Sequence, residues 1–369
     1  MPLRYKLGRD ARAARWREPP EPRSSRARVN GAPHEVAAAA LAELAGSAGE
    51  RYAGPVNITV VGAGVIGLTT ALTLEEHGHD VRVVAAGTDD ATTSAVAGAC
   101  WFPYRAGPPD RVAAWAAETR RWFDALIADP GAGVAPLTGY EITADAGAAD
   151  PPRPWWAAHI EVDRAPAPVA GAPAAWRYRS AGIEPARFLP WLTGRLRGRI
   201  EHRPVIDLAA EPGDLVVNCT GLAAREIAGD PAVAPLFGQV VITEVGGVDR
   251  SVTGTDERDP DALFYLIPRR DELVLGGCSL PWPPGAPPAI DPDLTRRILA
   301  QAGALGLPVG PVKRVRAGLR PYRPEVRLER VGRILHNYGH GGAGYTLSRG
   351  CAEAVAALVA AGDTTEVTT

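Results

Sequence analysis

The stretch from Val56 to Ala86, VNITVVGAGVIGLTTALTLEEHGHDVRVVAA, decides the fold of this chain. Its β-branched residues Ile58 to Val61 are bounded by turn residues, which predicts a buried parallel strand. A glycine-rich turn follows, and the residues from Leu68 to Glu76 are predicted to form a helix. A second strand begins at Val81. This order of strand, glycine turn, helix and strand is typical of a dinucleotide-binding unit.

The glycine turn has the pattern G-x-G-x-x-G at Gly62, Gly64 and Gly67. The first glycine allows a tight bend, the second lets the backbone approach a pyrophosphate, and the third lets the helix pack close to the strand. The amides and the dipole of the helix N-terminus favour the phosphates. A chance glycine turn is the alternative, and the surrounding pattern disfavours it. NAD and FAD are both open at this point.

The composition is that of a soluble globular protein, with 46% hydrophobic and 22% charged residues among 369. This length allows two domains, or one large domain with a tail. A net charge of −2 argues against bulk nucleic-acid binding. The first 30 residues nevertheless hold nine basic and three acidic side chains. We expect residues 1–55 to be a disordered, basic and Ala-rich extension, with a short helix at 34–46.

The four cysteines are far apart and form no C-x-x-C motif, so the sequence predicts neither a metal site nor a disulfide framework. No apolar run approaches the roughly 18–20 residues that a membrane span needs. The N-terminus lacks the compact apolar core of a secretory signal. We therefore expect a cytoplasmic protein without a membrane or nucleic-acid partner. The sequence leaves the oligomeric state open, with a homodimer as the candidate assembly.

Further elements follow from the patterns downstream. Apolar residues at helical spacing predict three more helices, at 109–127, 187–196 and 293–305. Alternating residues predict antiparallel strands, at 238–248 and 263–276, and Tyr140 to Thr143 form a shorter candidate. Leu215 to Val217 predict a buried strand that ends in the small residues NCTG. Ligands bind at such a carboxyl edge of a parallel sheet.

A second glycine-rich loop, HNYGHGGAG, runs from His336 to Gly344 and precedes a long predicted helix. A nicotinamide site does not need such a loop. It is expected where the second end of an extended cofactor lies against backbone amides. Helix N-terminal amides at that place would stabilise negative charge on a reduced ring. A tight loop with packing histidines is the alternative.

Two side chains are candidates for binding a substrate. Arg320, in GLRPYRPEVRLE, is flanked by leucine and proline, and a planar guanidinium in such a stiff, partly apolar place can bind a carboxylate bidentately. Arg323 and Arg327 are rivals for this role, and a surface ion pair is the common role of a single arginine. Tyr265, in LFYLIP, lies in an alternating strand from which its hydroxyl would face a cavity, with a plain core tyrosine as the alternative.

Taken together, these segments resemble the D-amino-acid oxidase family of flavoproteins. The matching segments occur in order over nearly the whole chain after Val56, and they are VVGAGVIGL, TTSAVAGACWFPY, NCTG, YLIP followed by LGG, GLRPYRPEVRLE and ILHNYGHGGAGYTLSRGCA. The last segment is the most specific for the family. The second glycine loop and the arginine segment favour FAD over NAD.

The resemblance implies a fold of mixed α+β and α/β type. An FAD-binding Rossmann-like domain of the glutathione-reductase type would be built from discontinuous segments, at 56–104, 181–225 and 315–362. An inserted, mainly antiparallel β substrate domain would comprise residues 105–180 and 226–314. Residues 1–55 have no counterpart in the family pattern.

The resemblance also implies the site and the reaction. Arg320 would bind the substrate carboxylate, Tyr265 would donate a hydrogen bond to the same group, and the backbone at Gly342 would accept one from the amine. The hydride would pass from the substrate Cα to flavin N5, the imino acid would hydrolyse to a 2-oxo acid and ammonia, and dioxygen would become hydrogen peroxide. We interpret His336 and His340 as structural rather than as bases. The implied FAD contacts are Gly62, Ala63, Gly64, Val65, Ile66, Gly67, Thr92, Thr93, Ser94, Gly98, Ala99, Trp101, Gly341, Gly342, Gly344, Tyr345 and Thr346.

Two of the departures from the family pattern concern the ribose contact and the lid, and the departure at the lid leaves the substrate range open. Ala86 stands where an acidic residue would bind the ribose hydroxyls, with Asp89 and Asp90 just beyond it. Asp261 stands where a second tyrosine is common. The alternatives are a pathway-specific oxidase of a modified amino acid, a catalytically silent flavoprotein or binding module, and a D-aspartate or D-glutamate oxidase. The last would need a further cation, for which the candidates are Arg258, Arg269 and Arg270.

Overall fold

One continuous sheet of fourteen strands forms the centre of the described part of the chain. The computed structural model describes residues 54–88, 92–142, 150, 152–172, 174–256, 259–307 and 309–362. The predictions for residues 1–53, and those that involve Asp89, Asp90 and Arg258, lie outside these residues.

The elements have the following bounds. The strands are β1 (Asn57–Val61), β2 (Asp80–Ala85), β3 (Val134–Ile142), β4 (Val162–Ala165), β5 (Ala175–Ile183), β6 (Glu201–His202), β7 (Leu215–Asn218), β8 (Ala234–Thr243), β9 (Arg250–Asp256), β10 (Asp259–Pro268), β11 (Leu273–Gly276), β12 (Leu280–Pro281), β13 (Val312–Val331) and β14 (Ile334–His340). The helices are α1 (Val65–Glu76), α2 (Thr93–Val96), α3 (Pro109–Leu126), α4 (Pro185–Thr193), α5 (Ala224–Ile227), α6 (Pro292–Ala304) and α7 (Gly344–Ala361).

The predicted dinucleotide-binding unit forms the parallel half of the sheet. β1 pairs in parallel with β2 and with β7, so that Val61 lies opposite both Val84 and Asn218. β6 and β14 extend this half at its two ends, also in parallel. β1 and β7 are almost fully buried, which explains their apolar, β-branched residues. The predicted order of strand, turn, helix and strand is confirmed.

The other half of the sheet is mainly antiparallel, as predicted. Its strands follow the order β4-β5-β3-β9-β10-β11-β8-β13, with β12 beside β8. β13 is 20 residues long and pairs with both β8 and β14, so it joins the two halves. The sequence predicts no strand here, because two prolines interrupt the pattern. The pairing of β13 with β14 shifts register between Tyr322 and Arg327, and such an irregularity accommodates the proline between them.

Helices cover the parallel half and hold its loops in place. α1 and α3 both pack against α7. A β-carbon at Gly350 in α7 would lie 2.2 Å from the backbone oxygen of Trp115 in α3, so glycine is what lets these two helices approach. α1 is buried along nearly its whole length. The loops at the carboxyl edge of the parallel strands therefore stand on a rigid base.

The predicted helices are confirmed with small shifts at their ends. α3 and α6 end within a residue of the predicted helices at 109–127 and 293–305. α4 begins at Pro185 and ends at Thr193, whereas the prediction ran from 187 to 196. The shift has a physical reason, since proline is favoured in the first helical turn, where its missing N–H costs nothing.

Candidate active site

The turn between β1 and α1 requires glycine at two positions. Gly62 has a φ of 116°, and a β-carbon there would lie 2.3 Å from the carbonyl oxygen of Cys219. At Gly67 a β-carbon would lie 1.9 Å from the carbonyl oxygen of Gly62. Both distances are far below van der Waals contact, so α1 packs directly against the end of β1. The amides that begin α1 are thereby fixed at the carboxyl edge of the sheet.

The N-terminus of α1 is open toward a ligand. Its N-cap residue, Gly64, has no side chain to accept a hydrogen bond, and its first turn contains no acidic residue. The amide of Val65 donates to Ser94 Oγ at 2.9 Å. The other amides of this turn and the helix dipole favour an anionic group such as a pyrophosphate.

The second glycine loop leads to another open N-terminus, that of α7, whose N-cap residue Ala343 makes no side-chain hydrogen bond. Gly341 has a φ of 53°, and a β-carbon there would lie 2.9 Å from the carbonyl oxygen of Arg105. A β-carbon at Gly342 would lie 2.7 Å from Cδ1 of Tyr104. The loop is therefore glycine-rich because the chain at Tyr104 and Arg105 passes directly beside it.

Both N-termini open into one cavity of about 570 Å³, which is a usual size for a small-molecule or cofactor site. Its walls come from the turn at 62–66, the loop at 92–100, the turn at 219–223, the end of β14 and parts of the antiparallel half. Among the described residues that line it, there is no aspartate or glutamate, and Arg320 is the one arginine or lysine. This charge and the two helix dipoles make the cavity favourable for anions.

Arg320 lies in the wall of the cavity without a carboxylate partner in the described part of the chain. Its Nη1 donates to the carbonyl oxygens of Cys278 at 3.0 Å and Phe237 at 3.3 Å. The guanidinium lies flat on Gly238, where a β-carbon would come within 2.5 Å of Nη1. The backbone therefore fixes Nη1, and the guanidinium also shares a side-chain hydrogen bond with Tyr265.

Tyr265 lies beside this guanidinium. It is opposite Gly276 in the pairing of β10 with β11, and a β-carbon at Gly276 would lie 2.0 Å from Cζ of the tyrosine ring. The ring thus occupies the space above the glycine and is directed into the cavity wall. Burial raises the pKa of Tyr265, and the neighbouring charge of Arg320 only partly offsets this effect. The hydroxyl is therefore a hydrogen-bond donor at neutral pH.

The rivals of Arg320 are engaged elsewhere. Arg323 Nε donates to Asp230 Oδ2 at 3.0 Å, and Arg327 Nη1 donates to the Tyr338 hydroxyl at 2.7 Å. Tyr338 in turn donates to the same Asp230 oxygen at 2.8 Å. Neither arginine lines the cavity. These two arginines belong to a buried ionic cluster around Asp230.

The cations proposed for an acidic substrate have other positions as well. Arg269 Nη2 donates to the carbonyl oxygens of Ala97 at 2.8 Å and Gly98 at 3.1 Å, so it holds the cavity loop rather than a ligand. Arg270 is exposed and does not line the cavity. Arg258 lies outside the described residues.

Most of the predicted FAD contacts line the cavity together, although they come from three distant parts of the sequence. They are Gly62, Ala63, Gly64, Val65, Ile66, Thr92, Thr93, Ser94, Gly98, Ala99, Gly341, Gly342, Gly344 and Tyr345. Tyr345 also holds the loop in place, since its hydroxyl donates to the carbonyl oxygen of Ser94 at 3.0 Å. Two open helix N-termini and a glycine cradle in one cavity fit a dinucleotide with a charged pyrophosphate.

The other three predicted contacts stand behind the wall. Gly67 allows the packing of α1. Trp101 is fully buried, with its indole Nε1 donating to the carbonyl oxygen of Ala116 at 2.8 Å. Thr346 Oγ1 accepts from the amide of Phe102 and donates to its carbonyl oxygen, both at 3.0 Å. These residues fix the loop that lines the cavity.

The cavity also has walls that the sequence did not single out as site residues. Pro204, Val205 and Ile227 line its parallel half, near Ala85 and Ala86. Tyr104 and Arg320 both lie close to Gly342, and Asn337 and His340 come from β14. The rule that ligands bind at the carboxyl edge of parallel strands predicts the end of β14. Tyr104 ends the segment TTSAVAGACWFPY, whose small residues and aromatics predict a loop beside a flat ligand.

The position expected for a ribose-binding acid is apolar. Ala86 lines the cavity, and no described residue of its wall supplies a carboxylate there. Asp89 and Asp90, which follow in the sequence, lie outside the described residues.

His336 and His340 lie in different places, and both are neutral. His336 Nδ1 lies 3.3 Å from Asn218 Nδ2 and does not line the cavity. His340 lines the cavity and is almost fully buried. Burial lowers the pKa of His336 to about 4 and that of His340 to about 3. Both imidazoles are neutral near pH 7.

The buried thiols are also neutral. Burial raises the pKa values of Cys100 and Cys219, which both line the cavity, to about 12. All four cysteines are free. Among the described residues, no cluster of three or more histidine, cysteine, aspartate or glutamate side chains could hold a metal ion. In the same residues, no helix has both the length and the apolar character needed to cross a bilayer.

Comparison with known proteins agrees with the fold. Residues 57–358 match the family described as FAD dependent oxidoreductase (DAO), so the chain belongs to this family of flavoenzymes. FAD is thereby the cofactor of this family, as the sequence predicts.

Two relatives named D-amino-acid oxidases match this chain over nearly their full length. A D-amino-acid oxidase of Rubrobacter xylanophilus is 42% identical over 321 residues, which cover 82% of this chain and 95% of that protein. A D-amino-acid oxidase of Streptomyces coelicolor is 39% identical over 312 residues, 82% of this chain and 96% of the relative. The structure of glycine oxidase from Bacillus cereus covers 82% of this chain and 94% of its own, with a TM-score of 0.66 and 18% identity. That last likeness concerns the fold alone.

Proposed function

We propose that this protein is an FAD-dependent D-amino-acid oxidase, which converts a D-amino acid and dioxygen to a 2-oxo acid, ammonia and hydrogen peroxide. The relatives of 42% and 39% identity carry this activity in their names and match this chain over nearly their full length. The observation that carries the proposal is Arg320, a cavity arginine without a carboxylate partner in the described part, beside the donor Tyr265. A catalytically silent flavoprotein would not need such a clamp.

The parallel half would hold the cofactor and the antiparallel half the substrate. The predicted domain segments, 56–104, 181–225 and 315–362 for FAD and 105–180 and 226–314 for the substrate, follow this division except at β13, which pairs with both halves and carries Arg320 within the FAD segment. The open N-terminus of α1 would bind the pyrophosphate, and that of α7 would face the flavin ring. When bound, FAD supplies the two-electron oxidation of the substrate and the reduction of dioxygen.

Arg320 would orient the substrate through its carboxylate. Nη1 donates to two backbone carbonyls, and Nη2 and Nε carry three further N–H groups, enough for a bidentate pair with the carboxylate beside the hydrogen bond to Tyr265. Tyr265 would donate a third hydrogen bond to the same carboxylate. The carbonyl oxygen of Gly342 would accept one from the amine, which fixes the substrate Cα between two anchored ends.

The cavity is suited to a neutral substrate amine. Its described lining contains no carboxylate, and its histidine is neutral because burial lowers the pKa of His340 to about 3. The charge of Arg320 and the helix dipoles disfavour an ammonium group in the same space. The cavity thus favours the neutral, reactive form of the substrate amine without a dedicated base.

An acidic-substrate oxidase and a pathway-specific oxidase are less well supported. Arg269 is held by backbone carbonyls and Arg270 lies outside the cavity, so neither supplies the extra cation that an acidic substrate would need. We further propose a cytoplasmic enzyme, an assignment supported by four free cysteines. Its partners would be the D-amino acid and dioxygen, and a homodimer is the assembly to test.

The activity can be tested on the purified protein. Its visible spectrum should show bound flavin, and D-amino acids should bleach that spectrum under anaerobic conditions and produce peroxide in air. L-amino acids should do neither. A protein that cannot be reconstituted with FAD would contradict the cofactor, and bleaching by L-amino acids alone would contradict the stereochemistry.

A further inference from the structure

Arg269 is a charged side chain that is nearly buried and has no close ionic partner in the described part of the chain. Its side chain is 12% exposed, and the one described carboxylate within 4.0 Å is that of Glu272, which lies 3.9 Å from Nη1. Its Nε is buried and has no hydrogen-bond partner among the same residues. Burying a charge in this way costs free energy, so the position of Arg269 requires an explanation.

The positive charge of Arg269 is present at neutral pH. Burial lowers the pKa of its guanidinium, and the neighbouring carboxylate of Glu272 opposes this effect. The ordinary pKa of arginine is so high that the group stays protonated nevertheless. Because little solvent surrounds this charge, its field on neighbouring groups is only weakly screened.

The guanidinium is directed at two consecutive peptide groups of the cavity loop at 92–100. Nη2 donates to the carbonyl oxygens of Ala97 at 2.8 Å and Gly98 at 3.1 Å. Both peptide bonds are trans, and in a trans peptide the N–H points opposite to the C=O. The amides of Gly98 and Ala99 therefore point away from Arg269. Since Gly98 and Ala99 line the cavity and Arg269 does not, these amides point toward the cavity.

The two amides are available to a ligand, and the loop is held in the shape that presents them. Among the described residues, no group accepts a hydrogen bond from either amide. Ala99 has a φ of 57°, a conformation that costs an alanine free energy and persists only where neighbours impose it. Arg269 holds the loop on one side. The amide of Ile183, which donates to the carbonyl oxygen of Ala99 at 2.9 Å, holds it on another.

These amides lie at the substrate end of the cavity. A β-carbon at Gly98 would lie 3.2 Å from Cε2 of Tyr265, which is the donor beside Arg320 in the proposed clamp. Oxidation of a substrate held there places two electrons on the flavin, so negative charge develops next to the loop. A carbonyl group that accepts a hydrogen bond from a cation polarises its peptide group, which makes the N–H at the opposite end a stronger donor.

We propose that Arg269 is a positioning residue that turns the amides of Gly98 and Ala99 into the cavity and strengthens them as donors to the negative charge of the reduced flavin. Arg269 acts through the loop and touches neither substrate nor cofactor. The inference rests on the proposed function, which places the substrate beside Tyr265. It gives this arginine a role in the preference for reduced flavin, in place of the role in binding an acidic substrate for which the sequence made it a candidate.

The test is the midpoint potential of the flavin bound to the holoenzyme, measured spectroscopically against a reference dye. Arg269→Gln keeps an N–H donor and removes the charge, so it should weaken the preference for the reduced flavin roughly three- to thirtyfold. For a two-electron couple this lowers the potential by about 15–45 mV. Arg269→Lys keeps the charge, and its potential should lie closer to that of the wild type than to that of Arg269→Gln.

Glu272→Gln should shift the potential in the opposite direction. It removes the negative charge that faces Arg269, from a side chain that is 20% exposed. The field of Arg269 is then less compensated, and the preference for the reduced flavin should rise about two- to fivefold. A residue that only holds the fold together would give no such rise. This variant keeps the test decisive if Arg269→Gln does not fold.

Arg333→Gln is the matched control for the loss of an arginine that binds backbone carbonyls. Arg333 donates to the carbonyl oxygens of Ala209, Glu211 and Gly213 at 3.0, 2.9 and 2.6 Å, and none of these residues lines the cavity. We expect this variant to lower the melting temperature, as Arg269→Gln does, and to leave the flavin potential at the wild-type value.

Wild-type potentials in both Arg269→Gln and Glu272→Gln would overturn the inference, as would shifts of the same sign in these two variants. A shift in Arg333→Gln as large as that in Arg269→Gln would overturn it as well. These outcomes would leave the proposed function intact, because the wild type still binds FAD and oxidises D-amino acids. A wild-type protein that binds no FAD would overturn the proposed function and this inference together.

Discussion

Replacing Arg320 tests the substrate clamp directly. In the proposed clamp Nη2 and Nε bind the carboxylate, which means two charge-assisted hydrogen bonds at about 1.5–3 kcal/mol each. Arg320→Leu loses both, and the sum of about 3–6 kcal/mol predicts a loss in kcat/KM of roughly 10²- to 10⁴-fold. Arg320→Lys keeps the positive charge but cannot bind the carboxylate bidentately, so its loss in kcat/KM should be smaller, roughly 10- to 10²-fold.

The assay is steady-state production of peroxide from a D-amino acid, with the visible spectrum as a check that flavin is retained. Arg323→Leu is the matched control, because Arg323 lies on the same strand and is bound to Asp230 outside the cavity. We expect it to lower the melting temperature and to leave KM near the wild-type value. If Arg320→Leu keeps kcat/KM within threefold of the wild type, the carboxylate binds elsewhere and the reasoning fails.

Three further predictions concern the ring, the turn and pH. Tyr265→Phe should raise KM about two- to tenfold through the loss of one hydrogen bond. Its melting temperature should be unchanged, because the ring still covers Gly276. An unchanged KM would show that Tyr265 does not bind the substrate carboxylate. Gly67→Ala should lower the melting temperature and weaken FAD binding, since its β-carbon would lie 1.9 Å from the Gly62 oxygen. Gly54→Ala is the control, because its β-carbon would meet nothing within 4 Å, and it should leave both the melting temperature and FAD binding unchanged. The free energy of unfolding should be constant above about pH 6.5 and fall below it, because His336 and His340, with pKa values lowered to about 4 and about 3, take up protons first in the unfolded chain. Each histidine should lower the free energy of unfolding by about 2 kcal/mol at pH 5. In urea unfolding, the free energy of His336→Gln should therefore change less between pH 7 and pH 5 than that of the wild type. An equal change in both proteins would contradict the lowered pKa of His336.

The fold was largely predictable because its decisive signals are local. A parallel strand buried on both faces needs β-branched residues, and the tight turn after β1 needs glycine, so the unit from Val56 to Ala86 is visible without any distant contact. β13 was not predictable in the same way. Its prolines interrupt the local pattern, and it is a strand because β8 and β14 pair with it from both sides.

The site, like the fold, has features that the local sequence predicts and others that only tertiary contacts decide. The two glycine loops were recognisable because glycine is required by the local backbone at Gly62 and by close neighbours at Gly342. The sequence alone left Arg320, Arg323 and Arg327 as rivals, since all three stand within eight positions of one another. Only the tertiary structure distinguishes them, because Asp230 comes from a distant segment to bind two of them and leaves the third in the cavity wall.

The sequence by itself thus determined a dinucleotide cradle with two glycine loops, because each depends on a backbone geometry that few residues allow. What only the tertiary structure decided is which residues line the cavity. Trp101 and Thr346, predicted as FAD contacts, stand behind the cavity wall, and Asn337 and His340 are in it. The physical reason is that hydrogen bonding depends on neighbours from other elements, and those neighbours are assembled only when the sheet closes.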